Sequence, residues 1–254
     1  LVEPQAFLRR PFSLAGHESQ GDRQILHIVH RVVGLGTGWL AALAPSDTVW
    51  LIGPLGNAFD LSGPPRTSLL IGGGVGLPPM FYLAEALAAA GWDAVAFIGA
   101  QQADLLSVDF TEVPPPTDAS PSMCVKQFAD HGYPSVITTD DGSCGMRGRI
   151  TDGLNVWLDH HPGTPCTAFV CGPEAMMHAA TMITQRHDIP TQLCMEQAMA
   201  CGMGTCQSCV LRIEDHELIH GHTRDDRPWR YRLACTDGPV FDAKQVVWPS
   251  EGSK

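Results

Sequence analysis

The stretch SLLIGGGVGLPPMFYLAEALAAAGWDAVAFIGA, residues 68–100, decides the fold of this chain. Its first apolar run predicts a buried strand that ends in a glycine loop. The next run predicts a helix that closes at Gly91, and the last run predicts a second strand. Two strands that are joined through a helix lie parallel to each other. The stretch therefore predicts an α/β unit built on a parallel sheet.

The glycine loop of this stretch is a candidate phosphate site. Gly72, Gly73, Gly74 and Gly76 lie where the strand passes into the helix, and backbone amides at such a place can hold a pyrophosphate. The run departs from the G-x-G-x-x-G spacing, because Leu77 stands where the third glycine is expected. A tight turn that only packs the helix against the strand is an equal alternative.

A second loop of the same kind strengthens the case for a nucleotide. The run CGPEAMM also ends a predicted strand and opens a predicted helix, and its first residues are Cys171, Gly172 and Pro173. Two such loops at the carboxyl edge of one sheet indicate a dinucleotide. No lysine or arginine lies between Arg66 and Lys126 to bind a 2′-phosphate, which favours NAD(H) over NADP(H).

The turn TTDDGS places two aspartates, Asp140 and Asp141, directly after a further predicted strand. Their carboxylates are candidate acceptors for the ribose hydroxyl groups of the nucleotide. Aspartate followed by glycine also marks an ordinary turn, so both interpretations stay open.

Sequence patterns divide the chain into three units. Residues 1–62 carry β-branched runs such as QILHIVHRVV and DTVWLIGP between glycine and proline turns, a pattern typical of antiparallel strands. Residues 63–192 carry the parallel α/β pattern, in which TDGLNVWLDHH predicts another helix. Residues 193–254 form the third unit.

Four cysteines in the third unit point to a metal cluster. The run ACGMGTCQSC holds three of them and the run ACTDGPVF holds the fourth; they are Cys201, Cys206, Cys209 and Cys235. A C-x4-C-x2-C run with a remote fourth cysteine is the plant-type spacing for a [2Fe-2S] cluster. Gly202 and Gly204 would let the backbone curl around the cluster and bring N–H groups to its sulfurs.

Other uses of the cysteines fit less well. Structural zinc sites usually pair two C-x2-C knuckles instead of using a four-residue first gap. A disulfide framework would leave one of the nine cysteines over, and the N-terminus lacks the order of a secretory signal. The remaining five are expected to be buried thiols; they are Cys124, Cys144, Cys166, Cys171 and Cys194.

The overall composition limits the classes of partner. With 254 residues, 44% of them hydrophobic, the chain is long enough for more than one compact unit. The formal net charge of −11 argues against nucleic acid and against an anionic membrane surface. Glycines and prolines interrupt the most apolar stretch, residues 69–91, so no transmembrane span is needed to explain it. We expect a cytoplasmic protein.

Several runs stand in a recognisable order along the chain. They are RRPFSL (9–14), VVGLGT (32–37), GPLGNAF (53–59), IGGGVGLPP (71–79), TTDDGSCGMRG (138–148), CGPEAMM (171–177), and ACGMGTCQSC with ACTDGPVF (200–209 and 234–241). This order resembles the electron-transfer subunits of NAD-linked dihydroorotate dehydrogenase, a family of the ferredoxin-NAD(P) reductase superfamily. The similarity covers almost the whole chain, and the cysteine run followed by DGPVF is its most specific part.

The resemblance implies a multidomain protein with α/β and β parts. Residues 1–62 would form an antiparallel FAD-binding β-barrel, 63–192 a Rossmann-like parallel α/β domain for NAD, and 193–254 a small [2Fe-2S] domain. The family's chains begin with further barrel strands, whereas only nine residues precede Arg10 here. We therefore expect the barrel to be incomplete at its N-terminal side.

The first group of flavin-site residues that the resemblance implies lies in RRPFS. Arg10 would pair with the FAD pyrophosphate, since a guanidinium matches phosphate oxygens in a bidentate manner. Ser13 would hydrogen-bond the flavin side. Pro11 and Phe12 would shape the contact.

The second implied group follows on a strand and a loop. Val29, His30 and Arg31 would line the isoalloxazine and the ribityl chain, and His30 stands where the family often has tyrosine. Gly36 and Thr37 would lie in a loop whose amide and hydroxyl reach the pyrophosphate.

The resemblance also implies a function and a partner. Electrons would pass between NAD(H), FAD and the cluster, and no side chain of this chain would act as acid, base or nucleophile. The partner would be an FMN-containing catalytic subunit that oxidises dihydroorotate to orotate in pyrimidine biosynthesis. The complex would be a heterotetramer with two copies of each subunit.

Two alternatives stay open. The chain could be a reductase of the same superfamily that serves a hydrogenase or a ferredoxin pool. It could instead be a non-catalytic redox sensor that holds a cluster without flavin. A further open point is the connection from Val210 to Ala234, which is longer than usual between the third and fourth cluster cysteines and is either a solvated hairpin or a partner-docking insertion.

Overall fold

A computed structural model of the chain describes residues 8–214 and 229–249, and the structural statements below concern these ranges. Its β-strands are β1 (Gly16–Gln20), β2 (Arg23–His27), β3 (Thr67–Gly73), β4 (Ala94–Ala100), β5 (Ser135–Thr139), β6 (Met146–Arg147), β7 (Cys166–Cys171), β8 (Thr191–Cys194), β9 (Val210–Glu214), β10 (Trp229–Leu233) and β11 (Val240–Asp242). Its α-helices are α1 (Leu35–Ala41), α2 (Leu77–Ala89), α3 (Lys126–Ala129), α4 (Ile150–His160) and α5 (Glu174–Arg186).

The described residues divide into two compact units. The larger unit takes Ser13–Val29 and Phe59–Cys194. The smaller unit takes the residues up to Phe12, the segment His30–Ala58 and the residues from Met195 onward. The three domains predicted above, 1–62, 63–192 and 193–254, stay a prediction.

A parallel sheet forms the centre of the larger unit. Its strands run in the order β8-β7-β3-β4-β5-β6, and every neighbouring pair among them is parallel. Helix α2 connects β3 to β4, so the predicted strand–helix–strand unit is present. The predicted α/β architecture with a parallel sheet is confirmed.

The core of this unit explains why its strands are apolar throughout. Leu69, Leu70 and Ile71 of β3 are completely buried, as is Phe169 of the neighbouring β7. A parallel sheet is covered on both faces, so both sides of each strand need apolar residues. The Phe169 ring meets the Phe59 ring edge-on, with the ring centres 5.4 Å apart.

The antiparallel parts of the structure are smaller than the sequence pattern predicts. Strands β1 and β2 form a hairpin in the larger unit, and β9 pairs with β10 in the smaller unit. The strand predicted from DTVWLIGP, residues 47–54, is not formed. A strand needs a hydrogen-bonded neighbour, and the part of the chain described here supplies none for these residues. Trp50, in the middle of this run, is 94% exposed. The FAD-binding β-barrel, expected to be incomplete at its N-terminal side, stays a prediction.

The long connection between the third and fourth predicted cluster cysteines begins and ends in paired strands. Its residues 215–228 lie outside the described ranges, whereas β9 and β10 on either side pair with Arg212 opposite Tyr231. Arg212 also lies over the Trp229 ring, with its guanidinium carbon 5.3 Å from the ring centre.

Within residues 8–214 and 229–249 no helix is long and apolar enough to span a bilayer.

Candidate functional site

The two glycine loops meet at the carboxyl edge of the parallel sheet. Strands β3 and β7 are neighbours, with Gly72 opposite Cys171. A Cβ atom added at Gly76 would lie 2.1 Å from the Cys171 carbonyl oxygen and 2.6 Å from the Gly172 nitrogen. The structure thus brings together the two loops predicted from the sequence, and only glycine fits where they touch.

The helices that follow these loops begin without side-chain caps. Among the described residues no side chain caps the start of α2 or of α5. First-turn amides that lack an intrahelical acceptor are free to bind phosphate oxygens. Pro78 and Pro79 have no N–H, and the Leu77 amide already donates to the Gly74 carbonyl, so on the α2 side the available donors lie in the turn Gly74–Gly76.

The sequence prediction missed Met176, which packs against both loops. Its sulfur lies 2.3 Å from the place of a Cβ at Gly73, and its terminal methyl group lies 2.7 Å from the place of a Cβ at Gly172. The thioether therefore fills the space that the two glycines leave. The available signal was an apolar side chain in the first turn of a helix whose N-terminus is expected to face a polar ligand.

In the turn after β5, one of the two aspartates accepts hydrogen bonds from within the turn itself. The Asp141 carboxylate accepts hydrogen bonds from the Ser143 amide at 2.9 Å and from the Ser143 hydroxyl at 2.6 Å, and these bonds lower the pKa of Asp141. Within the described part of the chain the Asp140 carboxylate accepts no hydrogen bond from another residue. Of the two, Asp140 is therefore the better candidate for a ribose hydroxyl.

Part of the predicted flavin site assembles in the smaller unit. The Arg10 guanidinium lies beside Gly36, where an added Cβ would be 3.2 Å from the Arg10 Nε. The rings of Phe12 and His30 meet edge-on with centres 5.9 Å apart, and the His30 Nε2 lies 3.3 Å from the Thr37 carbonyl oxygen. These five residues come from three separate segments of the sequence, and the structure places them next to one another.

The local structure at Gly36 and Thr37 differs from the prediction. Both residues lie in helix α1 and not in a loop. The Thr37 hydroxyl accepts hydrogen bonds from the amides of Val33 at 2.9 Å and Gly34 at 3.2 Å, and this closes the start of the helix. A glycine-rich run can enter a short helix when the residue three positions after the N-cap, here Thr37 after Gly34, accepts from the amides at and before the cap.

The other predicted flavin residues are exposed. Among the described residues their side chains form no hydrogen bond that would assign them a role, and their flavin contacts stay predictions; they are Pro11, Ser13, Val29 and Arg31.

The first three of the predicted cluster cysteines lie on a curled loop. Gly202 and Gly204 take left-handed backbone angles, with φ of 72° and 77°. The amides of Met203 and Cys206 point at the Cys201 sulfur, at N–S distances of 3.3 and 3.4 Å. The loop therefore has the curl and the amide-to-sulfur contacts that the sequence predicted.

The surroundings of Cys206 and Cys235 shift their pKa values in opposite directions. Hydrogen bonds with Ser208, and then with Cys201, lower the pKa of Cys206 to about 6. Burial and a hydrogen bond with the Cys209 side chain raise the pKa of Cys235, and the charges of Cys209 and Cys201 raise it further. Thiolates this close repel one another, and bound iron cations would remove that repulsion. The four residues fit a [2Fe-2S] cluster.

The described side chains form no preassembled site for a single metal ion. Over the ranges described, no three histidine, cysteine, aspartate or glutamate side chains are placed to hold one metal ion. A zinc site needs four ligands around a single ion, whereas a two-iron cluster spreads its four thiolates over two metals. None of the nine cysteines, all within the described ranges, forms a disulfide.

Comparison with known proteins identifies the family. The iron-sulfur cluster binding domain of dihydroorotate dehydrogenase B matches residues 196–247. The subunit named "Dihydroorotate dehydrogenase B (NAD(+)), electron transfer subunit" of Desulforamulus reducens is 32% identical over 241 residues, which cover 95% of this chain and 80% of the relative. The subunit of that name from Geobacillus kaustophilus is 34% identical over 242 residues, covering 94% and 80%. This chain belongs to that family, the dihydroorotate dehydrogenase B electron transfer subunits.

A solved structure agrees with this assignment. The structure described as an NADH-dependent reduced ferredoxin-NADP oxidoreductase has a TM-score of 0.74 and 26% identity, covering 95% of this chain and 75% of its own. The predicted family and its electron-transfer, oxidoreductase function are confirmed by the family matches. The matches also support the predicted cofactors FAD, NAD(H) and [2Fe-2S].

The close contact between the two glycine loops predicts that a methyl group added at Gly76 weakens NADH binding. Gly76→Ala should force the loops apart and raise the KM for NADH by about tenfold, the scale expected when a binding loop is displaced by a fraction of an ångström. Steady-state NADH oxidation with an artificial acceptor measures it. Gly63→Ala is the matched control, because nothing lies within 4 Å of an added Cβ there. Equal KM values in the two variants would contradict the loop assignment.

The position of Arg10 predicts a loss of flavin. Arg10→Ala should weaken FAD binding by roughly 10- to 100-fold, since charge-assisted hydrogen bonds contribute about 1.5–3 kcal/mol. The FAD-to-protein ratio after gel filtration measures the effect, with Arg9→Ala as the neighbouring control. A full FAD complement in Arg10→Ala would remove Arg10 from the flavin site.

Proposed function

We propose that this chain is the electron-transfer subunit of an NAD(+)-dependent dihydroorotate dehydrogenase complex, where it exchanges electrons with NAD(H) and with a catalytic subunit. The observation that carries the proposal is the cysteine loop. Two backbone amides point at the Cys201 sulfur within the segment that the family's iron–sulfur domain matches. Such N–H groups stabilise cluster sulfurs and tune the reduction potential.

Three groups of residues would hold the three cofactors. The dinucleotide would lie against the paired loops, at Gly72, Gly73, Gly74, Gly76, Cys171, Gly172 and Pro173. The flavin would be held from the neighbourhood of Arg10 and Gly36, with Phe12, His30 and Thr37. The cluster would be bound by Cys201, Cys206, Cys209 and Cys235.

The work of the chain is binding and orientation. FAD, when bound, links the two-electron chemistry of nicotinamide to the one-electron chemistry of the cluster. The helix-start amides at the glycine loops supply neutral donors for the phosphates of the dinucleotide. The Arg10 guanidinium supplies a positive charge for the flavin pyrophosphate. Hydride transfer needs no side-chain acid or base, so the histidines of this chain need no catalytic role.

The partner completes the reaction. It would be an FMN-containing subunit that oxidises dihydroorotate to orotate in pyrimidine biosynthesis, assembled with this chain as a heterotetramer with two copies of each. The name shared by the relatives supports a partner, because an electron transfer subunit implies a separate catalytic one. The net charge of −11 supports a cytoplasmic complex without nucleic acid or an anionic membrane as partner.

A second candidate follows from the solved structure. The matched oxidoreductase is described as acting on ferredoxin, which favours a ferredoxin-linked reductase as the alternative acceptor. Its 26% identity is lower than the 32% and 34% of the dihydroorotate dehydrogenase relatives. The dihydroorotate-linked function is therefore the first choice.

Reconstitution separates these two functions. Co-expressed with the dihydroorotate dehydrogenase catalytic subunit, this chain should co-purify with it and make dihydroorotate oxidation depend on NAD(+), followed by NADH absorbance. The catalytic subunit alone should not reduce NAD(+). If the two do not associate while ferredoxin is reduced by NADH, the ferredoxin-linked function replaces the first.

The cysteine assignment makes a prediction for a single ligand. Cys206→Ser should abolish the visible absorbance and the electron paramagnetic resonance signal of the cluster, because an alkoxide is a poorer ligand for iron than a thiolate. The FAD content should stay unchanged. Cys144→Ser, at a half-buried cysteine of the larger unit, is the control and should keep the cluster. A normal cluster signal in Cys206→Ser would refute its role as a ligand.

A further inference from the structure

The segment Gly53–Asn57 holds none of the three proposed cofactors, yet hydrogen bonds tie it to another part of the smaller unit. The Asn57 side-chain nitrogen donates to the carbonyls of Asp237 at 3.3 Å and Val240 at 2.8 Å. Its side-chain oxygen accepts from the Val240 amide at 2.8 Å. The Asn57 backbone amide donates to the Gly238 carbonyl at 2.6 Å. One residue thus makes four hydrogen bonds to residues 237–240.

The Asn57 side chain takes the place of a neighbouring β-strand. The Asn57 side chain bonds both the N–H and the C=O of Val240, as a backbone partner in a sheet would. The two backbones also approach closely, because a Cβ at Gly56 would lie 2.0 Å from the Gly238 carbonyl oxygen. The contact is therefore specific in both chemistry and shape.

The segment that Asn57 holds is the one that carries Cys235. The amides of Asp237 and Gly238 donate back to the Leu233 carbonyl at 2.8 and 3.1 Å, and the Asp237 carboxylate accepts from the Leu233 amide at 2.8 Å. These bonds close a turn around Cys235. The position of the Cys235 sulfur thus follows the position of the turn.

Each side of this turn has an anchor. On one side the Ala234 amide donates to the Cys209 carbonyl at 3.0 Å, which ties the turn to the third cysteine. On the other side stands Asn57. Leu55, in the same segment, lies 3.0 Å from the place of a Cβ at Gly202, between the first and second cysteines. The segment therefore touches both parts of the chain that carry cysteine ligands.

We propose that Asn57 is a positioning residue of the iron–sulfur site: its amide hydrogen bonds hold the Cys235 turn so that the fourth thiolate meets the other three. This inference rests on the proposed function, because it assumes that the four cysteines bind a cluster. Asn57 touches neither iron nor sulfur in this role. It controls how tightly the cluster is retained and where the Cys235 thiolate lies relative to the other three.

Two variants of the anaerobically purified full chain test the proposal. Asn57→Ala removes the side-chain hydrogen bonds, and Asn57→Leu removes them while keeping a side chain that branches at Cγ. Both should release iron to a chelator about tenfold faster than the unmodified protein, the effect typical for loss of an outer-shell partner. Both should also show a shifted electron paramagnetic resonance spectrum of the reduced cluster. Asn155→Ala is the control, because Asn155 is the chain's other asparagine and lies on α4 in the larger unit.

The outcomes separate this inference from the proposed function. If either variant releases iron and gives spectra like the unmodified protein, the inference is overturned. It is also overturned if FAD and secondary structure are lost together with the cluster, because Asn57 would then act on the stability of the whole fold. An unmodified protein that binds no cluster at all would count against the proposed function itself. A cluster present in the unmodified protein and labile in both variants, with FAD retained, supports the inference.

Discussion

The close approach of Gly76 to the Cys171 carbonyl is the constraint on which the proposed nucleotide site depends. The parallel pairing of β3 and β7 puts Gly72 opposite Cys171, so the two loops leave the sheet side by side. A Cβ at Gly76 would stand only 2.1 Å from the carbonyl oxygen, so a larger residue would separate the loops. Two uncapped helix starts then face the same edge of the sheet, where a dinucleotide has two phosphates to place.

In the smaller unit, two distant parts of the chain must likewise be held together to form the proposed cluster site. The four cysteines proposed as its ligands lie on a loop and on a remote turn, and thiolates that are close together repel one another. Backbone amides directed at the Cys201 sulfur lessen this repulsion on the loop, and the four hydrogen bonds of Asn57 hold the remote turn. An electron carrier needs no moving acid or base, so such rigid placement is the chain's main contribution to the reaction.

Local patterns predicted much of this structure, whereas long-range pairing did not follow from them. Apolar runs and glycine loops located β3, α2 and β7, and the cysteine spacing located the cluster loop, because each of these signals lies within a few residues. The strand expected over residues 47–54 failed because a strand depends on a neighbour elsewhere in the chain. Asn57 and Asp237 are 180 residues apart, and Met176 meets Gly73 across the sheet edge, so neither contact leaves a local pattern.

The central claim is that electrons pass within this one chain from NADH to the iron–sulfur cluster. An anaerobic titration of the purified FAD-loaded protein with NADH, followed by electron paramagnetic resonance, tests it most directly. NADH should bleach the flavin absorbance and produce the signal of the reduced cluster, whereas Cys206→Ser should show only the flavin change. A cluster that dithionite reduces but NADH leaves oxidised, while the flavin is fully reduced, would contradict the account.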